Sequence, residues 1–216
     1  MSLTPKILFA GYIALFAVLG IAPYDRAVWW AENIPILLLV TVLVVLYRWH
    51  RSSPFAYVLM ACLVYLHTVG GHYTFERVPF DVVTRTFGFH RNHYDRVAHF
   101  SVGFYAFGIA ELLLVKRLVN SKVILFLFPI FVIATLACAY EIFEWWYAVH
   151  AEASAGTAVL GSQGDVWDAQ KDMLADVLGA LFATALFWLA YRRNPAFHEL
   201  ARTAPPEPHP APPTGH

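Results

Sequence analysis

The sequence predicts an all-α fold, a polytopic membrane helical bundle of about six transmembrane helices with both termini in the cytoplasm. Apolar residues make up 59% of the chain and charged residues 14%, against roughly 45–50% and about 25% in soluble domains. Six windows approach the ~20 apolar residues that cross a bilayer. We therefore expect the lipid bilayer as the main partner and no nucleic-acid partner.

The six predicted spans follow one another along the chain. The first, 6–22, begins at Lys6 and could be mistaken for a secretory signal, but a proline follows the candidate cleavage point and later spans need an anchor. The second, 34–49, is the least clearly marked because Pro35 stands at its start. The other four are apolar runs over 55–71, 97–115, 123–146 and 172–191.

The basic residues predict the orientation of the bundle. When the charges are assigned to alternate sides of six spans, nine basic residues fall on the side of the termini and six on the other. By the positive-inside rule, the side with nine is cytoplasmic. The nine are Lys6, Arg48, Arg51, Lys116, Arg117, Lys122, Arg192, Arg193 and Arg202. Most of the acidic residues then lie on the outer side.

The chain is expected to hold one transmembrane domain, 1–200, and one tail, 201–216. The tail contains six prolines in sixteen residues and no apolar periodicity, which predicts a disordered cytoplasmic extension. Two outer loops, 72–94 and 150–164, are longer than a helical hairpin needs. The first mixes aromatic and charged residues, as in a segment that caps the bundle at the headgroup level or in a plain interfacial loop.

The last span begins with an acidic stretch, "GDVWDAQKDMLAD" at 164–176. At 100° per residue its aspartates fall within an arc of about 80° on one helical face. They are Asp165, Asp168, Asp172 and Asp176. We expect Asp165 and Asp168 to be solvated. Asp172 and Asp176 need a reason for burial, because an ionised carboxylate below the water boundary costs several kcal/mol unless it is paired or coordinated.

Three other outer span ends carry histidines or acids. Asp95 and His99 are four residues apart in "HYDRVAHF" and share a helical face. Glu141 and Glu144 are three apart in "YEIFEWW" and also share one. In "HTVGGH", the two glycines between His67 and His72 could break the helix, so helical spacing does not fix where these histidines point.

These side chains predict a divalent-metal site at the outer end of the bundle. Imidazole and carboxylate together suit Zn, Mn or Fe, and carboxylates alone suit Mg or Ca, so we expect a divalent ion such as Zn, Mn or Mg. The predicted ligands are His67, Asp95, His99, Glu141, Asp172 and Asp176. The predicted catalytic residues are Glu144 and Asp168, as carboxylates that move protons, and Arg96, as an anion clamp.

Such a site favours a metal-dependent hydrolase or transferase acting on a lipid-linked or envelope substrate. One alternative is a noncatalytic scaffold in which acids and arginines form ion pairs that fix helix register. Another is a cation transporter, although the inner halves of the spans offer only Glu111, which is expected to snorkel beside Lys116 and Arg117. The sequence does not decide whether the protein is an enzyme, and it gives no oligomeric state.

Four stretches in order, "ERVPFD", "NHYDRVAHF", "YEIFEWW" and "GSQGDVWDAQKDMLADVLGA", resemble the YjdF-type family of uncharacterised bacterial inner-membrane proteins. The resemblance covers about 65–182 and implies a multi-pass helical protein of the bacterial inner membrane. A looser pattern resembles VanZ-like membrane proteins, at Asp95, His99, Phe100, Glu141 or Glu144, Asp176 and Gly179. VanZ-like proteins are linked to resistance to cell-envelope glycopeptides, which implies an envelope context; neither family has a settled biochemical role.

Overall fold

The computed structural model describes residues 2–200, which form helices joined by turns and loops. The predicted tail, 201–216, lies outside the described residues. The helices are α1 (Thr4–Leu19), α2 (Arg26–Trp49), α3 (Pro54–Tyr73), α4 (Asp81–Thr86), α5 (Tyr94–Val102), α6 (Tyr105–Val115), α7 (Lys122–His150), α8 (Ala153–Leu160), α9 (Asp168–Tyr191) and α10 (Pro195–Glu199). The all-α prediction is confirmed.

Five helical runs in the described chain are long and apolar enough to cross a membrane: α2, α3, α5 with α6, α7, and α9. The first predicted span, α1, has 16 residues, or about 24 Å at 1.5 Å per residue, less than the ~30 Å of a hydrocarbon core. It runs in the same direction as α3, since the Tyr65 hydroxyl donates to the Leu8 carbonyl at 2.8 Å and His72 Nδ1 lies 2.7 Å from the Leu19 carbonyl. α1 therefore packs at the depth of the second half of α3.

The alternating helices give the bundle two ends. At one end α1, α3 and α7 finish and α2, α5 and α9 begin, and we call this the site end. At the opposite end, α10 packs against α6. α9 packs against α5, α6 and α7, while α3 packs against α1, α2, α5 and α6. The core near the opposite end is apolar around Phe107, Leu125, Ile133 and Phe187, each at most 1% exposed.

The second predicted span starts too late in the sequence. α2 begins at Arg26 and contains Pro35 within the helix. The side chain of Asp25 caps its start by accepting hydrogen bonds from the backbone N–H groups of Ala27, at 2.8 Å, and Val28, at 3.0 Å, and this cap satisfies groups that would otherwise be unpaired. As a result Glu32, which precedes the predicted second span, lies in a helix and is 2% exposed.

The fourth predicted span is not one continuous helix, because a turn at Gly103 and Phe104 separates α5 from α6. At this point Gly103 meets Gly179 of α9. A Cβ on Gly103 would lie 2.1 Å from the Ala180 nitrogen, and one on Gly179 would lie 1.9 Å from the Phe100 carbonyl oxygen. Only glycine permits this approach, and it brings the start of α5 against the start of α9.

Glu111 does not snorkel to the interface as expected. It is 3% exposed, and its carboxylate accepts hydrogen bonds from the Ser53 backbone N–H at 2.5 Å and the Ser53 hydroxyl at 2.7 Å. Ser53 is also the N-cap of α3. Glu111 therefore fixes the start of α3 at the opposite end of the bundle.

Candidate metal centre

The predicted acidic face of α9 points into the bundle. Asp168, Asp172 and Asp176 are 5%, 3% and 1% exposed, whereas Leu174 and Leu178 are 55% and 48% exposed on the other face. Asp168 is therefore buried, contrary to expectation. Nine residues, or about 13 Å of helix, separate Asp176 from Trp167, which is 62% exposed and suits a membrane–water interface.

His99 of α5 lies at the centre of this face. Its Nε2 atom is 3.6 Å from Oδ1 of Asp95 and 3.7 Å from Oδ1 of Asp172. One ligand atom from each of Asp95, His99 and Asp172 lies within 4.8 Å of the other two. The second ring nitrogen, Nδ1, is 3.3 Å from both carboxylate oxygens of Asp176. Three groups that can bind a metal thus lie close together, and the Asp176 carboxylate contacts the opposite nitrogen of the imidazole.

Two arginines compensate part of the negative charge. Arg96 contacts both Asp168 and Asp172 through its guanidinium. Arg91 donates to Oδ1 of Asp168 at 2.6 Å and to the Ser162 carbonyl at 3.2 Å. The other carboxylate oxygen of Asp168 is buried without a hydrogen-bond partner among the described residues. The arginines therefore tie α5 to α9 and leave one Asp168 oxygen unsatisfied.

The loop before α9 supplies the carbonyls that Arg91 contacts. Gly161, Gln163 and Gly164 have positive φ angles of 57°, 48° and 86°, and glycine relieves the strain of this left-handed backbone at two of the three positions. The Gln163 side chain accepts from the Asn92 N–H and donates to the Asn92 carbonyl, both at 3.0 Å. These bonds hold the loop against the start of α5.

Asp165 lies outside the membrane-spanning helices, at the rim of the site. Lys171 donates a hydrogen bond to its carboxylate at 2.6 Å, and this bond lowers the pKa of Asp165, with further help from the Trp167 N–H. Asp165 therefore stays ionised at neutral pH. Arg91, at 3.6 Å, adds a weaker ion pair, which links the rim to the buried aspartates.

A second buried polar group forms beside the first. His67 Nε2 of α3 lies 3.1 Å from Oε2 of Glu32, and the Tyr140 hydroxyl of α7 donates to the same oxygen at 3.0 Å. The ring centroids of His67 and His99 lie 6.1 Å and 6.5 Å from that of Tyr140. Sequence reasoning missed Glu32; the Asp25 cap signal, which extends α2 past it, could have identified it.

A cavity of about 270 Å³ connects the two groups. Its polar walls are Glu32, His67, Asp95, His99, Tyr105, Tyr140, Glu144 and Asp176. Its apolar walls include Leu39, Val102, Ile109, Ile133 and Leu136. The cavity is therefore polar near the site end and apolar toward the centre of the bundle.

The structure gathers some predicted site residues and separates others. Asp95, His99, Asp172 and Asp176 come together as described. His67 pairs with Glu32 and lies apart from the group formed by Asp95, His99 and Asp172. His72 instead contacts the end of α1. Glu141 leaves one carboxylate oxygen buried without a partner among the described residues. Glu144 is 8% exposed and lines the cavity, while Arg96 binds aspartates and is absent from the described cavity lining.

Comparison with known proteins places the chain in a family. The family model described as "Predicted membrane protein (DUF2238)" matches residues 4–193. The inner membrane protein YjdF of Escherichia coli (strain K12) is 33% identical over 195 residues, which cover 88% of this chain and 91% of the relative. No solved structure matches the chain. The chain belongs to the DUF2238 family and is a multi-pass protein of the bacterial inner membrane, so the resemblance to YjdF-type proteins is confirmed.

Proposed function

We propose that this member of the DUF2238 family is a metal-dependent membrane enzyme, with a divalent ion bound by Asp95, His99 and Asp172. The observation that carries the proposal is the two-sided setting of His99. Its Nε2 atom faces two carboxylates at 3.6 and 3.7 Å, and its Nδ1 atom faces Asp176 at 3.3 Å. Metal-binding histidines usually donate the other ring N–H to a carboxylate, a backbone carbonyl or a water, and Asp176 supplies the first of these.

The Asp176 carboxylate selects the useful tautomer of His99. An ionised carboxylate only accepts hydrogen bonds, so it favours the proton on Nδ1. The lone pair of Nε2 then points toward Asp95 and Asp172. Imidazole nitrogen with two carboxylate oxygens is a donor set that Zn or Mn accepts, and it leaves further positions for water and substrate.

The cavity supplies a place for a substrate beside the ion. Asp95 and His99 are two of the three proposed metal ligands, and both also line the cavity. A bound divalent ion would lower the pKa of a coordinated water. Glu144 lines the same cavity, and we assign it as the general base that removes a proton from this water. From the positive-inside pattern we expect the site at the outer leaflet, where an amphipathic ester of the envelope would be the substrate.

A second candidate function is a noncatalytic scaffold, and the arginine contacts favour it. Arg96 contacts Asp172 and Asp168, so it offsets charge that an ion would otherwise offset. In this account the aspartates and arginines form a network that fixes the register of α5 on α9, as buried polar groups can. The transport alternative gains no similar observation, since Glu111 is bound to Ser53.

Elemental analysis of detergent-purified protein separates the two candidates. The parent would be compared with Asp172→Ala and His99→Ala, and with the matched controls Asp81→Ala and His90→Ala, whose side chains are exposed outside the bundle. We expect one ion per chain in the parent and both controls. We expect its loss in Asp172→Ala and His99→Ala.

Absence of metal from the parent after chelator-free purification would contradict the metal centre. If Asp172→Ala and His99→Ala were then also less stable than the controls, the scaffold would be supported. Retention of the ion in both site variants would place it elsewhere in the chain and would contradict the assigned ligands.

A further inference from the structure

We infer that the cavity binds an amphiphile with one alkyl chain and a cationic head, such as an alkylammonium, in preference to an anionic lipid. This inference rests on the proposed function for its biological meaning, because it names the substrate class of the same site. The binding itself requires only the cavity and its carboxylates. It can therefore be measured with or without the metal ion.

The side chains of the cavity wall disfavour an anionic head. Four carboxylates line the cavity, on Glu32, Asp95, Asp176 and Glu144, and no Lys or Arg among the described residues does so. A phosphate in the cavity would face these carboxylates with no lining basic side chain to offset its charge, whereas a cationic head would gain a carboxylate partner.

Among the four carboxylates that line the cavity, Glu144 is the one without a partner in the described chain. It is 8% exposed and lines the cavity, and it forms no hydrogen bond or ion pair within the described chain. By contrast, Glu32 is paired with His67 and Tyr140, and Asp176 with His99. The hydroxyl of Tyr105, deeper in the cavity wall, is also buried without a partner. A ligand head is therefore expected to contact Glu144.

Aromatic rings beside Glu32 add a second attraction for a cation. The rings of Phe75 and His67 form a T-shaped pair with centroids 5.0 Å apart, and Phe75 and Tyr140 both line the cavity. Phe and Tyr faces attract ammonium groups within about 6 Å. Such a wall favours a primary or quaternary ammonium.

The inner part of the cavity suits an alkyl chain. Along α7 the lining runs from Glu144 to Ile133, which is eleven residues or about 16 Å of helix. The lower walls are Leu39, Val102, Ile109 and Leu136. A volume of about 270 Å³ over this length leaves room for an alkyl chain.

Three ligands with the same chain test the head preference: octyltrimethylammonium, octanol and octyl phosphate. Their affinities would be measured by calorimetric titration below their micelle concentrations, on protein in a neutral maltoside detergent with chelator, because a bound divalent ion would itself attract a phosphate. We expect the ammonium to bind about tenfold or more tighter than octanol and octyl phosphate to bind more weakly than octanol. Glu144→Gln should lower the affinity for octyltrimethylammonium to the affinity for octanol.

Glu141→Gln is the matched control, because Glu141 lies on the same helix and does not line the cavity. Partition of ligands into detergent is the same for both variants. A preference for the ammonium that is lost only in Glu144→Gln therefore shows that the cationic head lies at Glu144. Equal or tighter binding of octyl phosphate, or a preference that survives Glu144→Gln, would overturn the inference. Ammonium selectivity in protein that binds no Mn²⁺ when the chelator is omitted would contradict the proposed enzyme alone, and Mn²⁺ binding without ammonium selectivity would contradict this inference alone.

Discussion

The two ends of the bundle both bury carboxylates, but they treat them differently. At the opposite end, Glu111 is 3% exposed and both of its oxygens accept hydrogen bonds from Ser53. At the site end, one oxygen of Asp168 and one of Glu141 are buried with no partner in the described chain. Glu144 is buried with no partner at all among these residues.

This contrast separates a carboxylate that stabilises the fold from carboxylates that we propose bind a ligand. An unpaired buried carboxylate costs free energy that a hydrogen-bonded one does not. Glu111 fits the structural role, since its partner is the N-cap of α3. The unsatisfied acids share one end with His99 and the cavity, which supports the proposal that a cation completes the site.

The largest expected effect comes from Gly179, whose close approach to Phe100 builds the site end. In Gly179→Ala the new Cβ would meet the Phe100 carbonyl oxygen at 1.9 Å, so α9 must move away from α5. We expect a loss of about 3 kcal/mol in stability, at the upper range for overpacking, together with loss of the ion. Thermal unfolding in detergent would measure the first and elemental analysis the second.

Leu178→Ala is the control for this change, because Leu178 is 48% exposed on the other face of α9. It should alter stability by no more than about 0.5 kcal/mol. Equal melting temperatures for Gly179→Ala and Leu178→Ala would mean that the glycine contact does not hold the site.

Removing Glu111 should affect folding without affecting the site. Glu111→Ala leaves the Ser53 N–H and hydroxyl without their acceptor, and we expect a loss of about 1–3 kcal/mol. Metal content and ammonium binding should stay at the parental level once the remaining folded protein is isolated. Chemical unfolding and elemental analysis on the same preparation would show both results; a loss of metal here would remove the distinction between the two ends.

Asp176→Asn should lower metal affinity and leave stability nearly unchanged, which is the reverse of the result expected for Glu111→Ala. The amide keeps the shape of the side chain but no longer presents two acceptor oxygens to His99 Nδ1. We expect metal affinity to fall about 10–100-fold, as for other partners behind a metal-binding histidine, with a small change in melting temperature. Competition with a fluorescent chelator would measure the affinity, with Asp81→Asn as the control. Unchanged affinity would mean that Asp176 does not orient His99.

The smallest effect is expected at the rim. The Lys171 hydrogen bond lowers the pKa of Asp165 in the folded state, so its stabilising effect is present above the unfolded pKa of about 4 and is lost as pH falls through the folded pKa. The melting temperature of the parent should exceed that of Asp165→Asn at neutral pH, and the two should converge in acid. A difference that grows on acidification would have the wrong sign.

Much of this arrangement was predictable from spacing within single helices. The four-residue spacing from Asp168 to Asp172 to Asp176, and from Asp95 to His99, placed each set on one face, and the structure brings both sets together. The partner of each face was not predictable, because contacts between helices depend on packing. The Gly103–Gly179 contact, the break between α5 and α6, and the pairing of His67 with Glu32 all belong to this second class.

Helix ends caused the remaining errors. Pro35 suggested a start for the second span, yet the Asp25 cap begins α2 earlier and brings Glu32 into the bundle. Asp168 was expected in water because it precedes the apolar run, but Arg91 and Arg96 reach it from the start of α5. Composition locates membrane helices well, whereas the depth of a charged group depends on which residues meet it.

X-ray absorption spectroscopy of the purified protein loaded with Mn²⁺ or Zn²⁺ tests the metal centre most directly. The structure predicts one imidazole nitrogen and carboxylate oxygens at about 2.0–2.2 Å from the ion, and loss of the imidazole signal in His99→Ala but not in His90→Ala. An ion surrounded by oxygen alone in the parent, or a spectrum unchanged in His99→Ala, would contradict a centre built on His99.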